Sequence, residues 1–156
     1  MARRYDPVAF RADKDERIAD GLGVGRKSLV SLLDSLRLMG ATHVIDIRPP
    51  SKKPTYLRCS KVLIEAALSS TGIEYQYKGD VLGNPAGGDG AGVYSSYQEF
   101  MRLPVFQRQL AELANQINQM DGHAVILGSH AKQNSCTRGL LLHALFQKLA
   151  ELDESA

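Results

Sequence analysis

The chain has no tryptophan, two cysteines, six prolines and ten Phe plus Tyr among 156 residues. Each shortage excludes something. Cys59 and Cys136 stand far apart and neither belongs to a CxxC pair, which removes zinc sites built on paired cysteines and a disulfide framework. Both thiols are expected reduced. No run approaches the roughly 18 consecutive apolar residues of a membrane helix. The opening MARRYDPVAFRADKDERIAD alternates charges where a secretory signal would carry an apolar core. The expectation is a cytoplasmic protein with no membrane partner. The surplus of 19 Lys plus Arg over 17 Asp plus Glu is only +2, too small to attract nucleic acid by bulk charge, so any basic surface must be local.

What the chain does have is a 44% hydrophobic content arranged in periodic segments. At this length a single folded domain buries roughly two thirds of the surface its unfolded chain exposes, and it needs no staple. Residues 1–20 mix five basic with five acidic side chains and read as an N-terminal arm that donates Val8 and Phe10 as anchors. The domain proper is expected over 21–152, with a tail at 153–156.

From Arg26, Leu29, Leu32, Leu33, Leu36 and Leu38 recur at helical spacing, with Ser28 as cap and Gly40 as stop. His43 to Ile47 is a β-branched run ended by Pro49-Pro50, which predicts a buried strand. A second helix starts after Ser60 and closes at Gly72, and Ile73 to Tyr77 then alternates as a strand. The segment 79–92 holds six of the 14 glycines and predicts a long functional loop or lid, onto which Tyr94 and Tyr97 return. Residues 97–119 predict a helix restarted at Pro104, and His123 to Gly128 a strand. A leucine-rich last helix follows the polar loop 129–135. Strands alternating with helices predict a single compact α/β domain, a mostly parallel sheet flanked by helices, with a long glycine-rich loop.

In such a sheet ligands collect at the carboxyl ends of the strands. Asp46 and Arg48, two apart, share a sheet face and can pair or share a ligand. Arg48, Lys52, Lys53, Arg58 and Lys61, with Tyr56 among them, form a local basic cluster. Arg48 offers a planar fork for phosphate, sulfate or carboxylate; the alternative is that it pairs with Asp46 and the lysines are merely solvated. Gly128 to Arg138 runs from strand to helix, an arrangement that cradles anions. Cys136, beside Arg138 in the first turn, is a candidate nucleophile with a lowered pKa, against a buried inert residue. His130 is a candidate base, against a solvated loop histidine. No cofactor fingerprint and no metal-ligand cluster is present in the sequence.

Together, Val44-Ile45-Asp46-Ile47-Arg48-Pro49-Pro50-Ser51, Gly72-Ile73-Glu74-Tyr75, Leu82-Gly83, Tyr97 to Met101 and Cys136-Thr137-Arg138 resemble domain-of-unknown-function family 488 over about residues 20–148. The resemblance implies an α/β fold with Asp46, Arg48, Gly83, Tyr97 and Arg138 shaping a ligand site and Cys136 near it. It departs at Gly23-Val24-Gly25, Gly128, His130 and Thr137, where the family has Gly-His-Ser, Cys, Glu and His. A weaker similarity to rhodanese-like sulfurtransferases rests on Asp46-x-Arg48 and a cysteine loop before a helix; here Cys136 comes eight residues after Gly128 rather than directly after the strand. Three functional classes follow: a binder, or diverged enzyme, for a small anionic or nucleotide-like ligand; a nucleic-acid module using the basic cluster; and a protein-interaction domain.

Overall fold

The computed structural model describes residues 18–49, 57–85, 97–129 and 137–155. Four strands, β1 (Ile18–Gly23), β2 (His43–Asp46), β3 (Glu74–Tyr77) and β4 (His123–Gly128), alternate with four helices, α1 (Leu29–Leu38), α2 (Lys61–Ser69), α3 (Pro104–Gln119) and α4 (Thr137–Ser155). All pairings are parallel and the spatial order is β1-β4-β2-β3. The α/β fold expected from the alternating pattern is the one observed.

The helix starts follow from local chemistry. Ser28 caps α1 by accepting from Ser31 N, and Ser60 caps α2 by accepting from Leu63 N, each satisfying one of the amides that a first turn leaves unbonded. Pro104 occupies the first turn of α3, where its missing N–H costs nothing.

The connections β1-α1-β2 and β2-α2-β3 both travel the same way across the sheet, and right-handed crossovers therefore put α1 and α2 on one face. The return β3-α3-β4 places α3 on the other face, joined by α4. The core divides accordingly. Leu32, Leu36, Ile64 and Leu68 pack with Val44, Val125 and Leu127 on the first face, whereas Phe106, Leu110, Leu141 and Leu145 pack with Ala19, Ile45, Ala124 and Ile126 on the second. Both faces of β4 are covered, and all six of its residues are buried, as its unbroken apolar run requires.

Two boundaries differ from expectation. Residues 18–20, expected to end an arm, are the first half of β1, and α4 continues to Ser155 through the expected tail. β1 escapes a periodicity reading because IADGLG carries small residues where a strand usually carries large ones. A Cβ on Gly21 would lie 2.5 Å from Leu142 Cδ1 and 3.0 Å from Arg138 Cδ. Here α4 lies so close to the sheet that only a small residue fits. The anchors Val8 and Phe10 and arm residues 1–17 lie outside the described residues.

Candidate functional site at the carboxyl end of the sheet

β2 ends in Asp46, whose side chain shares a face with Val44. Its Oδ1 accepts from Arg48 N and Arg48 Nε, both at 3.0 Å, while Oδ2 accepts from Arg48 Nη2 at 2.9 Å and from the Tyr75 hydroxyl at 2.6 Å. Period-two geometry thus yields a bidentate ion pair, and Asp46 and Arg48 are 0% and 1% exposed. The Tyr77 hydroxyl donates to Arg48 O at 2.7 Å, and Lys61 Nζ lies 4.5 Å from the Tyr77 ring centre, a cation–π contact.

Glycine lets the loop after β3 close over this turn. A Cβ on Gly79 would strike Arg48 O and the Tyr77 hydroxyl, and one on Gly83 would strike Ile47 O. Tyr97, 0% exposed, donates its hydroxyl to Leu82 O at 2.6 Å and packs its ring edge-on to Phe106. Burial pushes the Tyr97 phenol well above its ordinary range.

These contacts change the roles expected of four residues. Arg48 is not an open fork for an anion, because its donors are spent on Asp46 inside the protein. Asp46 does orient Arg48, as the shared sheet face suggested. Gly83 and Tyr97 hold the base of the glycine-rich loop and do not present groups to a ligand: one is there for close backbone approach, the other for its buried hydroxyl bond. The remainder of the glycine-rich loop, Tyr94, the loop around His130 and Cys136, and Lys52, Lys53 and Tyr56 lie outside the described residues.

Arg138 is placed differently. Its side chain, 3% exposed, lies along β1 and β4: the Cβ that Gly128 lacks would stand 2.8 Å from Arg138 Cβ, and the one Gly21 lacks would stand 3.1 Å from Arg138 Nε. Arg138 and Arg48 therefore occupy the same end of the sheet but opposite faces, Arg138 with α3 and α4, Arg48 with α1 and α2.

Sequence reasoning passed over the loop from β1 to α1. Val24 N and Gly25 N donate to Gly128 O at 2.9 Å and Ser129 O at 2.8 Å, so the pairing of β1 with β4 continues beyond the strands. Gly25 then turns with φ +51°, a conformation glycine adopts freely. Lys27 N donates to Val24 O at 2.9 Å, and Lys27 O accepts from Cys59 Sγ at 3.6 Å. The half-buried Lys27 side chain folds back so that Nζ donates to Gly23 O at 3.2 Å. The available signal was three glycines at period two, Gly21, Gly23 and Gly25, leading into Arg26-Lys27 and a capping serine.

Cys59 is fully buried beneath this loop. Burial pushes its thiol up, opposed in part by the positive charges of Arg48 and Arg58, so it is a packing residue that grips Lys27 O. Among the described residues no group of three His, Cys, Asp or Glu side chains is arranged to hold a metal, and no helix is long and apolar enough to cross a membrane.

Comparison of the chain with family models, with curated proteins and with solved structures finds no match. Its chemistry must be read from its own geometry.

Proposed function

We propose that the carboxyl end of the sheet, between β1 and β4, binds a small anionic ligand of nucleotide-like or simpler kind. The observation that carries this reading is a topological switch point with a buried arginine beside it. The chain leaves β1 toward α1 on one face and leaves β4 toward α4 on the other, which opens a crevice at the strand ends where α/β proteins take ligands. Arg138 is laid against Gly21 and Gly128 at that crevice, and Gly23 and Gly128 pair in register there, so nothing bulkier than backbone occupies the strand ends.

Membership of family 488 belongs to the same proposal, supported by the roles of Asp46, Arg48, Gly83, Tyr97 and Arg138 in building this end of the sheet, and so does a cytoplasmic setting. Turnover enters only through Cys136 and His130. Nucleic-acid binding gains less support: Arg58 and Lys61 are exposed, but the net charge is small and Arg48 is withdrawn from the cluster.

A thermal melt of the full chain tests the reading against phosphate, sulfate, nucleotides and short oligonucleotides at two salt concentrations. A ligand at a hundred times its Kd adds about 2.7 kcal/mol, which raises the midpoint by roughly 5–10 °C for a domain of this size. A shift with one small anion that is reduced in Arg138→Lys supports the site. If no anion moves the midpoint, the proposal fails; a shift with oligonucleotides alone, lost steeply with salt, transfers the function to the basic surface.

A further inference from the structure

Lys27 deepens this picture, and the inference rests on the anion-site reading above. Its ammonium is half-buried, and its hydrogen bond goes to a backbone carbonyl, Gly23 O. Among the described residues no carboxylate pairs with it. The acid nearest in role, Asp46, is engaged by Arg48 and Tyr75. A partly desolvated ammonium held by one neutral acceptor retains two donors and its full charge for an incoming group.

The root of this side chain is fixed while its tip is not. Lys27 N and O are both hydrogen-bonded, to Val24 O and Cys59 Sγ, and Ser28 next to it caps α1. The Nζ contact at 3.2 Å is a long neutral one, of the kind a charged acceptor displaces.

Position sets the partner. Gly23 O, which holds Nζ, belongs to the residue paired in register with Gly128, and Gly128 is the residue against which Arg138 packs. Lys27 comes from the α1 side of the sheet and Arg138 from the α4 side, so two cations bracket one glycine pair at the switch point. The planar guanidinium best suited to a carboxylate, Arg48, is already occupied by one. The rim cation is an ammonium, a point charge with rotatable donors that suits the tetrahedral oxygens of phosphate.

We infer that Lys27 is a ligand-contacting residue and that the anion taken at the β1–β4 switch point is a phosphate group, bound when the ammonium leaves Gly23 O for a phosphate oxygen.

Isothermal titration calorimetry on the full chain, in 0.15 M NaCl, tests this with inorganic phosphate, pyrophosphate and malonate on wild type, Lys27→Met, Lys27→Arg, Arg138→Lys and Lys148→Met. Lys148 pairs with Glu151 on α4 at 3.7 Å and serves as a charge-matched control. The expected result is binding of phosphate or pyrophosphate by wild type, weakened at least tenfold in Lys27→Met with an unchanged melting midpoint, partly kept in Lys27→Arg, and unaltered in Lys148→Met. Binding that survives in Lys27→Met but is lost in Arg138→Lys overturns the role of Lys27 and leaves the anion site standing. Malonate binding as tightly as phosphate overturns the ligand class. Absence of binding by all three anions to wild type overturns both readings.

Discussion

Replacing Asp46 by asparagine keeps the shape of the side chain and removes its charge, and the structure sets the size of the effect. Asp46 accepts four hydrogen bonds, three from Arg48 and one from Tyr75, and both members of the pair are shielded from water. The variant leaves the Arg48 guanidinium buried without its counter-charge, a change that costs about 3–5 kcal/mol where an exposed pair would cost about 0–1. Against a total stability of about 5–15 kcal/mol this is a large share, and the melting midpoint should fall by about 6–20 °C. Urea unfolding monitored by circular dichroism measures it directly. The triple variant Asp46→Leu, Arg48→Met, Tyr75→Phe removes the charges and the orphaned hydroxyl together and should recover at least half of the loss, since apolar replacements of buried pairs are often neutral. A loss below about 1 kcal/mol in Asp46→Asn would mean that water reaches the pair and that the buried network is not what holds the 46–48 turn.

Tyr97→Phe deletes the donor to the buried Leu82 carbonyl, and equilibrium unfolding should show a loss of about 1–3 kcal/mol; an unchanged midpoint would remove Tyr97 as the anchor of the loop. Gly79→Ala forces a methyl against the Arg48 carbonyl and should cost about 1–3 kcal/mol as overpacking, read from the same denaturant curves. Cys59 should resist alkylation by iodoacetamide at pH 8 in the folded protein and react on unfolding, because burial keeps its thiol protonated; rapid native labelling at Cys59 would contradict its packing. Stability should fall as pH climbs above about 9, the ordinary value of a thiol: the unfolded chain releases the Cys59 proton there and the folded chain retains it, so the unfolded state binds fewer protons. Tyr97 adds to the same fall at higher pH, and a flat stability profile between pH 8 and 11 would refute both assignments.

The periodicity of the sequence by itself determined most of the elements. Leucines at helical spacing after Ser28, the β-branched run before Pro49-Pro50 and the apolar run 123–128 each satisfy their own backbone and name their own buried face, so neighbours in sequence suffice to specify them. Asp46 and Arg48 were also legible as a pair, because residues two apart on a strand share a face whatever the fold. What the pair does was decided by tertiary structure. Tyr75 from the next strand and the Gly79 loop seal it from solvent, and a sealed fork already filled by aspartate has no donors turned outward for a ligand. β1 was invisible for the complementary reason. Its small residues answer to Leu142 and Arg138 on a helix more than a hundred residues away, and no local pattern encodes that approach. The placement of Lys27 and Arg138 on either side of one glycine pair likewise exists only because β4, last in sequence, inserts between β1 and β2. Strand order is a property of the assembled sheet, fixed by which apolar run can be covered on both faces, and it is strand order that brings the two cations together.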